Sequence, residues 1–175
     1  KIRMGKIYFA LGLMSGTSGD GVDSSIIQTD GMDRFMIKFN NYDPYPSHLS
    51  NEIHRIKEKI QSSSDLVKFA NELEFLEGKL TTFHADVAKK WFKSINVDII
   101  GFHGQTIFHN SEEKISRQLG SGEKLSKITK KNIIYNFRQN DLKNGGEGAP
   151  LAPIYHKLLV KAFRDRRKLK KNSTV

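Results

Sequence analysis

The chain has 175 residues, of which 37% are hydrophobic and 27% are charged. This composition is typical of a soluble globular protein with one core and at most a small appendage. We expect no signal peptide, and the sequence has no apolar run near the roughly 20 residues that cross a bilayer. Cysteine is absent, which excludes disulfide bonds and thiolate chemistry. We therefore expect a cytoplasmic protein that does not enter a membrane.

The formal net charge is +10, and much of it is concentrated at one end of the chain. From Lys161 onward, seven basic residues and Asp165 together contribute +6. The basic residues are Lys161, Arg164, Arg166, Arg167, Lys168, Lys170 and Lys171. A local basic run is typical of a solvated helix end or linker. It lacks the aromatic platforms of a nucleic-acid surface, so nucleic acid is not the expected partner, although a basic nucleic-acid-binding module remains an alternative.

Apolar alternation predicts three strands at the start of the chain, at about 7–13, 22–29 and 34–40. The turns between them are short and polar, which favours an antiparallel meander. A proline-containing loop is predicted over 41–47 and a helix over 48–61, with Ser47 as the helix N-cap. Apolar residues at steps of three and four then predict a long helix or a kinked pair over 65–93. Gly78 is the expected bend, and the apolar face is expected to lie in the core.

The rest of the chain alternates between strands and helices. A buried strand is predicted over 95–102, and His103-Gly104-Gln105-Thr106 is expected to form the polar turn after it. The later elements are a short strand at 114–119, a helix at 122–130, a strand at 131–137 and a helix at 152–168. The order β-β-β-α-β-α-β predicts an α/β fold of the ribonuclease-H-like type. Its mixed sheet would be an antiparallel meander extended by parallel strands.

The segment Leu11–Asp23 is the strongest candidate for a functional loop. Its glycines, between two apolar runs, let backbone amides approach an anion closely, and its hydroxyl side chains can donate to phosphate oxygens. Asp20 and Asp23 can hold Mg²⁺ or its waters. An ordinary hairpin turn is the simpler interpretation. The combination of glycines, hydroxyls and acids in one segment nevertheless favours a nucleotide-binding loop.

A second polar cluster, His103-Gly104-Gln105-Thr106, follows the buried strand. His103 can exchange a hydrogen bond with a sugar hydroxyl, and Gln105 can both donate and accept. A capping turn with a structural histidine is the alternative interpretation. A metal site at His103 and His109 is not supported, because no third ligand lies at a suitable spacing.

A third cluster places Arg138 and Asp141 three residues apart, just before the glycine-rich segment 145–148. Arg138 could bind a carboxylate or phosphate through two N–H groups, and Asp141 could accept from a sugar hydroxyl. Alternatively, the two side chains pair with each other. Ligands of open α/β sheets lie beyond the carboxyl ends of the strands, so we expect the three clusters to converge on one cleft.

Taken together, the three clusters resemble the anhydro-N-acetylmuramic acid kinase family. They occur in the family's order and cover almost the whole chain. The matching motifs are Met14-Ser15-Gly16-Thr17-Ser18, Asp20-Gly21-Val22-Asp23, His103-Gly104-Gln105-Thr106 with His109, Phe137-Arg138 with Asp141, Gly145-Gly146 and Gly148-Ala149-Pro150-Leu151. The resemblance implies an actin/hexokinase/Hsp70-type fold, in which nucleotide binds between two ribonuclease-H-like domains.

The resemblance also implies a reaction and its cofactors. A kinase of this family uses ATP to open the 1,6-anhydro bridge of anhydro-N-acetylmuramic acid and to phosphorylate O6, which gives N-acetylmuramic acid 6-phosphate in peptidoglycan recycling. ATP and Mg²⁺ are the implied cofactors, with Asp20 and Asp23 as candidate metal ligands. The implied ATP-binding residues are Gly16, Thr17, Ser18, Gly19, Asp20, Gly21, Val22 and Asp23. The implied sugar-binding residues are His103, Gln105, Thr106, Arg138 and Asp141.

The sequence also departs from the family pattern. Family members usually carry a larger hydrophobic residue at the position of Gly19 and an aspartate at the position of Asn136. No position matches the family's Asp-Thr-Gly-Pro-Gly motif, whose aspartate is the general base, or its glycine-rich adenosine site. We therefore expect the N-terminal half of the family fold, without a catalytic base and inactive alone.

These expectations divide the chain into two parts. Residues 1–163 are predicted to form the ribonuclease-H-like domain, with the phosphate loop and part of the sugar site. Residues 164–175 are predicted to be a basic linker or the start of a second domain. A non-catalytic half-domain that binds sugar or phosphate is the alternative to a kinase. Whether the chain forms a homodimer is left open by the sequence.

Overall fold

The computed structural model of the chain describes residues 6–32 and 34–167. Six strands and six helices lie within these ranges. The strands are β1 (Tyr8–Ser15), β2 (Gly21–Thr29), β3 (Phe35–Pro44), β4 (Ile99–Asn110), β5 (Ile115–Leu119) and β6 (Asn132–Ile134). The helices are α1 (Ser47–Lys59), α2 (Ser63–Lys68), α3 (Ala70–Phe92), α4 (Gly122–Thr129), α5 (Phe137–Lys143) and α6 (Ala152–Arg167).

The strands form one mixed sheet in the order β3-β2-β1-β4-β5, and β6 also pairs with β4. The first three strands are antiparallel neighbours. β4 then pairs with β1 in parallel, and β6 pairs with β4 in parallel, whereas β5 is antiparallel to β4. The predicted α/β fold, with an antiparallel meander followed by parallel strands, is confirmed.

One face of the sheet carries the hydrophobic core. Alternate residues of β1 and β2, such as Leu11, Leu13 and Ile26, are at most 1% exposed and pack with buried residues of α1 and α3. Fully burying an aliphatic side chain of this size stabilises the fold by about 2 kcal/mol. Successive residues of a strand point to opposite faces, so Gly12 and Asp23 lie on the other face, where both are exposed.

The structure corrects the predicted loop before α1. Residues 41–44 belong to β3, because they pair with residues 21–24 of β2 instead of leaving the sheet. Ser47 is the first residue of α1, and Pro46 occupies the N-cap position without a side-chain cap hydrogen bond. The carbonyl of Pro46 instead accepts from the amides of Leu49 and Ser50. The longer β3 places Tyr42 opposite Asp23, and Tyr45, the first residue after the strand, donates its amide to the carbonyl of Asp20 in the loop that joins β1 to β2.

The region predicted to be either one long helix or a kinked pair is a pair of helices, α2 and α3. The break falls at Phe69, however, and Gly78 lies inside the uninterrupted α3. Ser62 and Asp65 form a capping box that starts α2, in which each residue satisfies an amide of the other. The predicted apolar face lies in the core, where Leu76 and Leu80 are at most 3% exposed.

Two boundaries near the polar clusters are also corrected. β4 begins at Ile99 instead of residue 95 and continues through His103-Gly104-Gln105-Thr106, which was expected to be a turn. The strand expected over 131–137 is confined to the three residues of β6. Asn136, with a left-handed φ of 58°, then caps α5, and this conformation is one that asparagine tolerates well.

The final helix, α6, extends to Arg167. The predicted domain boundary between residues 163 and 164 therefore falls inside this helix, and the predicted division into domains stays a prediction. Lys168, Lys170 and Lys171 of the basic run lie outside the described residues. Within the described ranges, no helix combines the length and hydrophobicity needed to span a bilayer.

A β-bulge at Gly104 lets strand β4 continue through a segment rich in polar residues. Leu13 pairs with Phe102 and Ser15 pairs with Gln105, so β4 holds one extra residue at this point. Gly104 adopts a φ of +76°, and a Cβ at this position would lie 2.5 Å from the carbonyl oxygen of Leu119. Glycine is required here both for the backbone conformation and for the close approach of β5.

We expect Gly104→Ala to lower the free energy of unfolding by about 3 kcal/mol, because it adds a steric collision to the strain of a positive φ. Gly31→Ala is the matched control, since Gly31 has a φ of +76° with no atom within 4 Å of the added Cβ. The control should cost only about 1 kcal/mol. Urea denaturation of both variants measures the difference, and equal losses would contradict the role given to Leu119.

Candidate functional site

The predicted phosphate loop, residues 16–20, joins β1 to β2 at the carboxyl end of β1. Thr17, Ser18 and Asp20 are exposed, whereas Gly19 is buried. The loop is thus a hairpin connection, as the simpler interpretation expected, and its two hydroxyls are presented to solvent. Its neighbour across the sheet is the carboxyl-terminal half of β4, where Gln105 pairs with Ser15.

Four carbonyl groups of this loop are held by donors from the protein. The bonds run from Gln105 Nε2 to Gly16 O at 2.7 Å, from Lys57 Nζ to Thr17 O, from Ser50 Oγ to Gly19 O at 2.8 Å and from the Tyr45 amide to Asp20 O at 2.8 Å. In a planar trans peptide, C=O and N–H point in opposite directions. The amides of Thr17, Ser18 and Asp20 are therefore turned away from these donors. A loop with this orientation can accept an anion.

A buried hydrogen-bond network lies directly beneath the start of the loop. The Leu80 carbonyl can only accept, so His84 Nδ1, at 2.7 Å from it, carries the proton. His84 Nε2 must then accept from the Ser15 hydroxyl at 2.8 Å. The Tyr45 hydroxyl in turn donates to Ser15 Oγ at 2.6 Å. Ser15 and His84 are fully buried, and this network fixes the last residue of β1.

Gly19 is where the sequence departs from the resembled family, and it contacts α1. Its φ is +68°, and a Cβ at this position would lie 2.9 Å from Cγ2 of Ile53. A larger residue would have to displace the Ile53 side chain and adopt a strained backbone. In this chain, glycine lets the loop lie against the helix, where Ser50 holds its carbonyl.

Asp20 and Asp23 surround the phenol of Tyr42. Ser18 Oγ donates to Asp20 Oδ1 at 2.6 Å, and this hydrogen bond holds the pKa of the Asp20 carboxyl below its usual value. Asp23 is the cross-strand partner of Tyr42. Partial desolvation and then the negative charges of both carboxylates raise the pKa of the Tyr42 hydroxyl. The two candidate metal ligands are therefore close to one group at the edge of the loop.

His103 and Arg138 form the contact between the second and third clusters. His103 Nδ1 lies 2.9 Å from the carbonyl of Gly104 and must donate to it. Its Nε2 therefore accepts from Arg138 Nε at 3.2 Å and Nη2 at 2.9 Å. Burial, together with the positive charge of Arg138, lowers the pKa of His103. His103 is thus a neutral side chain that orients Arg138, with both ring nitrogens occupied.

Arg138 and Asp141 do not form an ion pair with each other. Both side chains instead form hydrogen bonds with the backbone of Gly148. Arg138 Nη1 donates to the Gly148 carbonyl at 2.7 Å, and the Gly148 amide donates to Asp141 Oδ2 at 2.7 Å. This arrangement closes the glycine-rich segment onto α5 and leaves both charges incompletely neutralised. The internal pair, which was the alternative interpretation, is therefore replaced by a shared backbone contact.

Gln105 and Thr106 are less accessible than a sugar contact would require. Gln105 is fully buried, and its Oε1 atom has no hydrogen-bond partner. Thr106 is 9% exposed, and its hydroxyl lies 3.4 Å from Gln118 Nε2. Gln105 instead connects β4 to the phosphate loop through Gly16. The predicted sugar contacts of both residues stay predictions.

Hydrogen bonds join neighbouring members of the three clusters, while their convergence on one cleft stays a prediction. Gln105 joins the second cluster to the loop, and His103 joins it to Arg138. A groove of about 290 Å³ adjoins them on the sheet face opposite α1 and α3, with Asp23 and Phe137 in its lining. Asp141 contacts its own segment and does not reach the loop.

Sequence reasoning missed the residues that support the loop from behind. Tyr45, Ser50, Lys57 and His84 lie 25 residues or more from the loop in sequence and belong to no motif. The one available signal was the seven-residue spacing of Ser50 and Lys57, which puts both on the same face of α1. Nothing in the sequence indicates that this face meets the loop.

Comparison with known proteins places this chain in a family of sugar kinases. The sequence pattern of the anhydro-N-acetylmuramic acid kinase family matches residues 8–170. A relative from Pelagibacter ubique with this name is 51% identical over 159 residues, which cover 90% of this chain and 42% of the relative. A relative of the same name from Rhizobium etli is 36% identical over 168 residues, which cover 92% of this chain and 45% of the relative. The chain belongs to the anhydro-N-acetylmuramic acid kinase family.

The chain spans less than half the length of these relatives. The covered share is 42% for the Pelagibacter ubique protein and 45% for the Rhizobium etli and Rhizobium johnstonii proteins. The similarity thus concerns the N-terminal half of the family, in agreement with the resemblance drawn from the motifs.

The buried network makes the stability of the fold depend on pH. Burial lowers the pKa of His84 from 6.5 to about 4. At a pH between these two values, His84 binds a proton in the unfolded chain but not in the folded chain. Lowering the pH through this range therefore favours unfolding. We expect the free energy of unfolding to fall by about 3 kcal/mol as the pH is lowered from 7 to 4.

Urea denaturation at a series of pH values measures this dependence. The fall between pH 6.5 and 5, where most carboxyl groups remain ionised, reports His84 together with His103, whose pKa is lowered as well. The fall that remains in His103→Gln belongs to His84. His48 is exposed, so His48→Gln should leave the profile unchanged. A free energy of unfolding that stays constant from pH 6.5 to 5 would contradict a buried, neutral His84.

Proposed function

We propose that this chain is the phosphate-binding part of an ATP-dependent kinase that acts on 1,6-anhydro-N-acetylmuramic acid. The observation that carries the proposal is the loop at residues 16–20, in which four carbonyls are held by donors from the protein, so that the amides of Thr17, Ser18 and Asp20 are turned away from those donors. Family membership supplies the substrate. The proposed fold is the actin/hexokinase/Hsp70 type, and the proposed setting is peptidoglycan recycling in the bacterial cytoplasm.

The proposed ATP site is the loop together with the start of β2. The amides of Thr17, Ser18 and Asp20 and the hydroxyl of Thr17 would donate to phosphate oxygens, and the Ser18 hydroxyl would join them on leaving Asp20. The network at Ser15 would keep the loop in place, so that little reorganisation is needed when the nucleotide binds. The full set of proposed ATP-binding residues is Gly16, Thr17, Ser18, Gly19, Asp20, Gly21, Val22 and Asp23.

The residues present fit Mg²⁺ that is held partly by the nucleotide. In the described part of the chain, no group of three or more metal-binding side chains occurs. Mg²⁺ needs only one or two protein carboxylates when phosphate oxygens and waters complete its shell. Asp20 keeps one oxygen free of Ser18, and Asp23 is exposed. When bound, the ion would neutralise charge on the transferred phosphoryl group.

The proposed reaction breaks the bond between C1 and the bridging O6, adds water at C1 and transfers the γ-phosphoryl group to O6. The products are N-acetylmuramic acid 6-phosphate, ADP and the proton released from the water. His103 would hold Arg138 for contact with the sugar, while Gln105 and Thr106 would support the cleft from within the sheet. Asp141 would accept from a sugar hydroxyl through its remaining oxygen. We assign no general base to this chain.

Joining this chain to the remaining C-terminal part of the Pelagibacter ubique relative tests the proposal. We expect the chimaera to form phosphorylated sugar from 1,6-anhydro-N-acetylmuramic acid and ATP, and we expect the 175-residue chain alone to show no turnover. Mass spectrometry of the product measures both. A folded chimaera without activity, beside an active full-length relative, would overturn the proposal. Turnover by the isolated chain would overturn the expectation that it is inactive alone.

Mg²⁺ dependence tests the assignment of the two carboxylates. In the chimaera, Asp20→Asn and Asp23→Asn should each raise the Mg²⁺ concentration needed for half-maximal rate by about tenfold, because a neutral amide is a weaker ligand. Asp86→Asn is the control, since Asp86 is an exposed residue of α3 with only a 3.9 Å contact to Lys89. An unchanged Mg²⁺ requirement in both variants would remove these residues from the proposed metal site.

A further inference from the structure

The ring of Tyr42 lies across the first residue of β2, directly after the proposed phosphate loop. A Cβ on Gly21 would lie 2.7 Å from both Cε2 and Cζ of this ring and 2.6 Å from the carbonyl oxygen of Asp43. Glycine at position 21 therefore leaves the space that the ring occupies. Because the phenolic oxygen is bonded to Cζ, the hydroxyl group lies beside the junction between the loop and β2.

Both candidate metal ligands are close to this hydroxyl. Asp20 precedes Gly21 in the chain, and Asp23 is the cross-strand partner of Tyr42. The hydrogen bond from Ser18 lowers the pKa of the Asp20 carboxyl, and a weaker hydrogen bond from Tyr42 acts in the same direction. Partial desolvation, followed by the charges of the two carboxylates, raises the pKa of the Tyr42 hydroxyl. The phenol therefore keeps its proton at neutral pH and acts as a donor.

The position of Tyr42 depends on the continuation of β3 beyond the predicted strand. Residues 41–44 pair with residues 21–24, so the backbone of Tyr42 is fixed relative to the start of β2. The amide of Tyr45 then donates to the carbonyl of Asp20 at 2.8 Å. The ring is 47% exposed, so solvent and solutes reach this edge of the loop.

Two hydroxyl donors restrict the orientation of the Asp20 side chain. Asp20 is exposed, and fixing an exposed side chain in one rotamer has an entropic cost that hydrogen bonds offset. An ionised carboxylate has two oxygens with roughly four acceptor positions. Donors from Ser18 and Tyr42 therefore leave acceptor positions for a cation. Hydrogen bonds to metal-binding carboxylates orient them and strongly affect metal affinity.

We propose that Tyr42 is a positioning residue that orients the Asp20 carboxylate for a divalent cation. Its hydroxyl acts through Asp20 and does not itself bind the cation. This inference rests on the proposed function for the assignment of Asp20 as a Mg²⁺ ligand. Cation binding at Asp20 can be measured without turnover.

A purely structural role for Tyr42 makes a different prediction. The ring would then only cover Gly21 and support the pairing of β2 with β3, for which phenylalanine serves as well as tyrosine. Tyr42→Phe would leave cation binding unchanged. A positioning role depends on the hydroxyl and disappears when Asp20 no longer binds the cation, which a double-mutant cycle detects.

The experiment titrates the 175-residue chain with Mn²⁺, a paramagnetic substitute for Mg²⁺, and follows the broadening of the amide NMR signals of residues 20–23. Tyr42→Phe should weaken Mn²⁺ binding by about tenfold, because the ligand loses an orienting hydrogen bond. In an Asp20→Asn background, Tyr42→Phe should cause little further loss, since the residue through which it acts has been removed.

Tyr135→Phe is the matched control. Tyr135 is 37% exposed, and its ring also lies over a glycine, Gly122, with 2.4 Å between two ring atoms and the position of an added Cβ. This variant loses the same hydroxyl group away from the loop and should bind Mn²⁺ like the wild type. Broadening at Glu112, an exposed acid between β4 and β5, measures non-specific binding in every sample.

Four results would overturn the inference. They are wild-type Mn²⁺ binding by Tyr42→Phe, an equal loss in Tyr135→Phe, an equal effect of Tyr42→Phe with and without Asp20, and wild-type broadening at residues 20–23 no stronger than at Glu112. Kinase activity of the chimaera reports the proposed function separately. An inactive chimaera beside Tyr42-dependent Mn²⁺ binding would contradict the kinase and leave the role of Tyr42 standing.

Discussion

The rest of the site depends on a directed chain of buried hydrogen bonds from Tyr45 through Ser15 to His84 and the Leu80 carbonyl. Each donor and acceptor in this chain is satisfied, so its cost of burial is offset. Because the carbonyl fixes the tautomer of His84, the directions of the other two bonds follow. The network holds Ser15, the last residue of β1, on the core side of the sheet. It therefore fixes the position at which the following loop begins.

The bulge at Gly104 decides how the second cluster is divided between the two faces of the sheet. In a regular strand, His103 and Gln105 would share a face, because side chains alternate. The extra residue turns Gln105 to the face of Phe102, beneath the loop, and leaves His103 beside Arg138. In this short motif, Gln105 therefore contacts the loop on one face of the sheet, whereas His103 contacts Arg138 on the other.

Charge is arranged so that the loop and its surroundings complement each other. The loop contributes outward amides, hydroxyls and two carboxylates, while α1 contributes the ammonium group of Lys57 and the α5 region contributes Arg138. Neither cation has a carboxylate partner among the salt bridges of the described residues.

The sequence by itself determined the class of fold, the order of most strands and helices, the three polar clusters and the family. These features depend on local periodicity, on turn residues and on motif order, which are written in neighbouring positions. It gave no account of Ser50, Lys57, Tyr45 and His84, since their roles arise from contacts between distant segments. It also placed a turn where β4 continues, because polar composition cannot reveal pairing with β1 and β5. Only the tertiary structure decided which side chains support the loop, because packing and register bring them within hydrogen-bond distance of it.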